Sequence, residues 1–258
     1  MHSIRRCAAP EGRCAPVSET ATPATHRRIP SFVHHRTRLT DGQQHAWTQW
    51  WPVYGRDVAD VVTEAGSGPV DPADWFGRTA PLVLEIGSGM GESTAALAAA
   101  APETDHLAVE IYEPGLAQLL MRITDAGLSN LRLLRGDAVD LLKEVIAPGS
   151  LAGIRIFFPD PWPKRKHHKR RLVQPEFVAL AASRLAPGGT LHLATDWADY
   201  ATQMRTVCDA EPALRNTSAD EPGGWTPRPV WRPLTKFEQR AVVEGRPVRD
   251  LLYQTRHG

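Results

Sequence analysis

Leu82-Val83-Leu84-Glu85-Ile86-Gly87-Ser88-Gly89-Met90-Gly91-Glu92 opens the regular part of this chain. An apolar run holding one acid meets three glycines at alternate positions, and an alanine-rich stretch follows to Ala100. The pattern predicts a strand, a tight turn and a helix. A short apolar run without polar alternation suits a strand covered on both faces. Glycine lets the backbone come close to a ligand. In open α/β sheets, ligands sit beyond the carboxyl ends of the strands.

The alternation continues outward from this turn. Residues 106–111, 131–134, 153–158 and 190–195 read as strands, and residues 114–126, 138–146, 175–185 and 197–209 as helices. Two late strands are expected near 214–217 and 250–255, with a short helix around 235–243. The expected fold class is α/β, with a central, mostly parallel, seven-stranded sheet and helices on both faces. Residues 1–30 are rich in Ala, Pro, Thr and Arg without periodicity and read as a disordered tail. Residues 31–70 read as an arm and linker packing on the main domain, 71–258. In the arm a helix is expected from Asp41 as N-cap, docked by Trp47, Trp50 and Trp51.

Of the 258 residues, 42% are hydrophobic and 23% charged, which suits an ordinary globule. The formal charge of +1 gives no argument for nucleic acid, so any such argument rests on local clustering. Cys7, Cys14 and Cys208 form neither a disulfide scaffold nor a zinc pattern. The adjacent His34-His35 and His167-His168 pairs diverge in helix or strand, so no metal site is expected. No apolar run approaches the roughly 18–20 residues that cross a bilayer. No membrane contact and a cytoplasmic setting are expected.

Four strand ends carry residues that suit one ligand. In the dinucleotide fingerprint G-x-G-x-x-G a helix N-terminus faces a pyrophosphate. Here the third glycine comes one residue early, and Glu92 stands in its place. Carboxylates at Glu85 and Glu92 repel a diphosphate and suit a cation. S-adenosylmethionine, with a sulfonium, an ammonium and no phosphate, fits that requirement. Glu110 ends the second strand and can accept from ribose hydroxyls, as an acid does in NAD enzymes. Asp137, in Gly136-Asp137-Ala138, can accept from an adenine amino group, cap a helix, or do both. The fourth strand runs into Phe158-Pro159-Asp160-Pro161-Trp162-Pro163, then Lys164-Arg165-Lys166-His167-His168-Lys169-Arg170-Arg171. Prolines stiffen this loop around one carboxylate and one indole. The cations beside it suit a polyanion.

These pieces, with Thr195-Asp196, Tyr200 and Thr235-Lys236-Phe237-Glu238-Gln239-Arg240, resemble the bacterial tRNA (guanine-N7)-methyltransferases over residues 28–253. That family usually carries a His where this chain has Tyr112-Glu113. The resemblance implies a Rossmann-like class I fold and S-adenosylmethionine as methyl donor, with S-adenosylhomocysteine as product. It further implies tRNA as partner, and a variable-loop guanosine as target. It implies that Glu85, Gly87, Gly89, Gly91, Glu110, Asp137, Ala138 and Asp160 bind the cofactor, and that Asp160 occupies the catalytic position. Lys164, His168, Arg171, Asp196, Thr235, Lys236, Phe237 and Glu238 would bind the substrate. Asp160 and Glu238 are the preferred acceptors for guanine N1–H and N2–H₂, with Asp196 a third. Trp162 or Phe237 would stack on the base. Rival expectations are a methyltransferase for another RNA base or a small molecule, a non-catalytic RNA-binding module, and an NAD enzyme. Monomer and homodimer stay open.

Overall fold

The computed structural model describes residues 38–66 and 68–256. The expected tail, 1–30, and the arm's first residues lie outside the described ones. In chain order the elements are α1 (Asp41–Tyr54), β1 (Gly55–Asp57), α2 (Val58–Ala65), α3 (Ala73–Phe76), β2 (Leu82–Ile86), α4 (Glu92–Ala100), β3 (Asp105–Glu110), α5 (Glu113–Ala126), β4 (Leu131–Arg135), α6 (Ala138–Glu144), β5 (Leu151–Phe157), α7 (Pro175–Arg184), β6 (Leu185–Thr195), α8 (Ala198–Asp209), β7 (Leu214–Asn216), α9 (Lys236–Val243) and β8 (Arg249–Thr255).

The strands form one sheet in the order β1-β4-β3-β2-β5-β6-β8-β7. From β1 to β6 neighbours run parallel, while β8 is antiparallel to both β6 and β7. All seven expected strands are present. The eighth, β1, comes from the expected arm and pairs Gly55–Asp57 with residues 133–135 of β4. Its three residues show no sequence alternation, so only the free edge of β4 defines them as a strand. Chain order reverses between β2 and β5, which makes their carboxyl ends the switch point where an open α/β sheet holds its ligand.

The register divides the sheet into two unlike faces. Leu84, Leu107, Ile154 and Leu191 point to one side, under α2, α6, α7 and α8, in a continuous apolar core. On the other side, Ala108 and Leu133 pack beneath α1, α4 and α5, with Leu116, Leu119, Leu120 and Ile123 from α5. Further along that second face the row turns polar: Glu85 of β2 lies beside Arg155 of β5, and Arg155 beside His192 of β6. Residues 225–243, not a long helix, cover this end.

The α1 helix docks on α5. Its cap is Thr40, one residue before the expected Asp41: Thr40 Oγ1 accepts from Gln43 N, and Gln43 Oε1 accepts from Thr40 N. Gln43 also donates to the Pro114 carbonyl at 3.1 Å. Trp47 and Trp51 stack at 4.2 Å between centroids. Arg135 lies over both rings while pairing with Asp57 and Glu113. Trp47 and Trp51 thus pack against the core beneath α5, whereas Trp50 is exposed beside Tyr54 of its own helix.

The first turn of α5 passes close under the glycine turn. A Cβ on Gly115 would stand 2.2 Å from the Gly89 carbonyl oxygen. We expect Gly115→Ala to cost about 1–3 kcal/mol through overpacking against a backbone that cannot yield. A lowered urea midpoint with unchanged m-value would register that loss.

Candidate functional site

The β2–α4 turn is a chain of left-handed glycines: Gly87, Gly89 and Gly91 have φ of 81°, 55° and 72°. Such φ values disfavour any side chain with a Cβ. Gly91 has a second constraint, because an added Cβ would meet Leu119 at 2.5 Å.

Glu110, at the end of β3, ties this turn down. Its Oε2 accepts from Gly89 N at 2.9 Å, and its Oε1 accepts from Ile111 N at 2.7 Å and Tyr112 N at 2.9 Å. A carboxylate has about four acceptor sites. Three are taken by backbone, so Glu110 is foremost a clamp between two strand ends. Glu85 is buried and accepts from Thr94 Oγ1 of α4 at 2.9 Å. Burial raises its pKa above the ordinary carboxylate value, against the opposing pull of the Thr94 bond and Arg155. Ser88 Oγ, in the turn itself, is buried without a hydrogen-bond partner. Asp137 caps α6, accepting from Val139 N at 2.7 Å. It also borders an open groove of ≈ 730 Å³, shared with Val58, Arg135 and Gly136.

The fourth strand end is strained. Phe158 N still donates to the Ala194 carbonyl at 2.7 Å, as though β5 continued. Yet Phe158 and Trp162 adopt φ of 51° and 44°, rare for bulky residues, on either side of Pro159-Asp160-Pro161. Arg171 holds the loop from behind. Its Nε donates to the Pro161 carbonyl at 2.7 Å, Nη1 to Gln203 Oε1 at 2.8 Å, and Nη2 to Asp199 Oδ2 at 2.6 Å. Arg171 is 3% exposed, so its charge faces the protein interior rather than a phosphate. His168 joins the same cluster, 3.5 Å from Asp199. The remaining cations form the 3₁₀ turn Arg165–Arg170, in which Arg165, Lys166, Lys169 and Arg170 are exposed, as is Lys164 before it. Arg170 lies over the Trp162 ring at 4.9 Å.

Two further expected residues are already paired. Asp196, after β6, accepts from Arg246 Nε at 2.8 Å. Glu238 is 1% exposed. Its Oε1 accepts from Arg228 Nε and Arg232 Nη2, both at 2.8 Å. Its Oε2 accepts from Arg232 Nη1 at 2.8 Å and Arg228 Nη2 at 3.2 Å. The four acceptor positions are thereby filled, which leaves none for a guanine edge in this arrangement. Thr235 caps α9 by accepting from Glu238 N. The substrate contacts expected of Lys236 and Phe237 rest on side chains outside the described ones.

Sequence reasoning missed the centre of this network. Arg232 bridges Glu238 to Asp250, and Asp250 holds His192 Nε2 at 2.8 Å. Trp231 packs edge-on against His192 and lies over Arg155. Arg155 had one signal, as the charge inside the apolar run 153–158. Arg232 and Asp250 had none, since an ion pair 18 positions apart has no periodicity.

Known proteins resemble this chain over most of its length. A family described as "Putative methyltransferase" matches residues 79–251. A tRNA (guanine-N(7)-)-methyltransferase of Streptomyces coelicolor is 47% identical over 98% of this chain and 91% of its own. The protein of that name from Mycolicibacterium gilvum is 47% identical over 98% of this chain and 97% of its own. The chain belongs to the tRNA (guanine-N(7)-)-methyltransferase family. A member from Burkholderia cenocepacia, 50% identical over 93% of this chain and 89% of its own, extends the likeness further. For this member of the family, the residues matched as methyltransferase include the glycine turn, the proline loop and the arginine–glutamate network alike.

The network has a pH signature. Burial alone would raise the Glu238 pKa, but the bonds from Arg228 and Arg232 hold it below the ordinary carboxylate value. A carboxylate depressed in the folded state contributes stability above its unfolded pKa, and loses it as pH falls through the folded one. We expect Glu238→Gln to cost about 3–5 kcal/mol at neutral pH, because it strands buried arginine charge. The deficit should shrink on acidification below the ordinary carboxylate range, measured by denaturant unfolding across pH.

Proposed function

We propose that this chain transfers a methyl group from S-adenosylmethionine to N7 of a variable-loop guanosine in tRNA, forming 7-methylguanosine in the cytoplasm. The observation that carries the reading is the pairing, at one switch point, of an acidic glycine turn with a proline-held carboxylate flanked by exposed cations.

The residues fit the cofactor. The glycine turn offers Glu85, Glu110 and the unpartnered Ser88 hydroxyl. Glu85 would face the ammonium, Glu110 the ribose and Asp137 the adenine, with Gly87, Gly89, Gly91 and Ala138 giving backbone approach. S-adenosylmethionine supplies an electrophilic methyl on its sulfonium.

Guanine N7 has a lone pair and no proton, so the protein needs no general base there. Its task is to align the base and exclude water, an effect worth about 7–11 kcal/mol in favourable cases. Asp160 takes the guanine N1–H and N2–H₂ edge in this reading. An acceptor on that edge also polarises the ring toward N7. Trp162, backed by Arg170, supplies a stacking face for a base drawn from its stack. Lys164, Arg165, Lys166, Lys169 and Arg170 hold phosphates and position the RNA. Arg171 and His168 shape the loop, and Glu238 anchors α9 so that its capped N-terminus borders the substrate.

Unmodified tRNA incubated with radiolabelled cofactor should acquire label that maps to a variable-loop guanine by borohydride–aniline cleavage. Label at another base or position refutes the assignment. Asp160→Ala should abolish transfer and leave cofactor affinity within a few-fold of wild type; near-normal turnover would remove Asp160 from its role. Replacing Lys164, Arg165, Lys169 and Arg170 with Ala should flatten the salt dependence of tRNA binding by roughly 0.7–0.9 log units per lost phosphate contact. An unchanged slope would make the run a solvated face.

A further inference from the structure

Glu85 presents a problem that the glycine turn does not solve. An ammonium is bound by an ionised carboxylate, and burial disfavours ionisation. Glu85 is buried, and Glu110 adds a second negative charge nearby. Thr94 of α4 gives one hydrogen bond but no charge.

The register supplies a counter-charge. Arg155 of β5 lies directly beside Glu85 of β2 on the same face of the sheet, while Ala108 of β3 lies on the other side. The other titratable groups around the pair are poor substitutes. His106 of β3 is neutral, its pKa pushed down to about 4 by burial and then by Arg155. His192 of β6 is also pushed down, chiefly by burial, although Asp250 opposes this. Arg232 is spent on Glu238 and Asp250.

Arg155 is itself placed for its charge rather than for a bonding network. Its Nη1 is buried with no hydrogen-bond partner. Its guanidinium carbon lies 5.3 Å from the centroid of the Trp231 ring, which covers it on the side of residues 225–243. A half-buried guanidinium in mid-strand, with its Nη1 shut off from water, is costly, and such charges persist where another charge answers them. Here that charge is Glu85.

We propose that Arg155 is a positioning residue for the cofactor, whose guanidinium keeps Glu85 ionised at the glycine turn and so ready for a cationic headgroup. The inference rests on the reading that S-adenosylmethionine binds there. The sign follows directly. Glu85 has a raised pKa, so affinity for an ammonium is lost as pH falls through it. Removing Arg155 raises that pKa further and moves the loss to higher pH.

The test is calorimetric titration of S-adenosylhomocysteine into the full chain over roughly pH 6–8.5. Wild type and Arg155→Lys should keep their affinity down to a lower pH than the charge-free variant. Arg155→Met should lose affinity at a higher pH, becoming about tenfold weaker than wild type on the acidic side for each unit of displaced pKa. Glu85→Gln in the Arg155→Met background should remove the slope. If Arg155→Met does not fold, Arg155→Gln keeps much of the volume and loses the charge, and carries the same comparison. A charge-free variant whose affinity is unchanged, or uniformly weakened at every pH, overturns the proposal. Failure of wild type to bind at any pH sinks the cofactor reading itself, and this inference with it.

Discussion

The register between β2 and β5 is the constraint on which the rest of this molecule depends. Chain order reverses at that seam, so the turn after β2 and the loop after β5 open beside each other at the carboxyl edge. Everything chemical is built around this adjacency. Glu110 clamps the glycine turn from β3, and Arg171 pins the proline loop from behind. A slip of one residue by either strand would turn its charged residue, Glu85 or Arg155, to the opposite face, into the apolar core. Burial of Leu84 and Ile154 on that face resists such a slip.

The same register explains why one face of the sheet is a plain core and the other is mixed. Apolar residues under α2, α6, α7 and α8 form the larger of the two hydrophobic clusters. Opposite, the row from Glu85 through Arg155 and His192 is polar, His192 is hydrogen-bonded to Asp250, and the segment bearing Trp231, Arg232 and Glu238 lies against it. A buried ionic layer of this kind is weak evidence for stability. Its value is geometric: each arginine fork fixes the direction of the carboxylate it holds. In this chain it ties Asp250 of β8 and His192 of β6 to the segment that enters α9.

Much of the fold was legible from residue pattern. Strands covered on both faces appear as continuous apolar runs, and the central expected strands lie where those runs lie. β1 was illegible because three residues carry no period; the exposed edge of β4 makes them a strand. Thr40 rather than Asp41 caps α1 because the reciprocal bonds with Gln43 select between two adjacent candidates. At the site, residue types signalled the chemistry but not the commitments of each group. Glu238 and Arg171 look alike in sequence to residues that meet a substrate. Both are buried, with their bonding capacity filled by distant partners.

The sequence by itself determined the α/β alternation, the glycine turn with its acids, and the stiff proline loop followed by cations. These are local properties, set by backbone conformation and by residues within a few positions of one another. Only the tertiary structure decided which charges face outward and which are spent inside. Arg228, Arg232, Glu238, Asp250 and His192 are brought together by the pairing of β8 with β6 and by the passage of residues 225–243 across the sheet. No local pattern encodes that meeting, because a buried charge is stabilised by whichever partner the fold delivers to it, however far away in the chain.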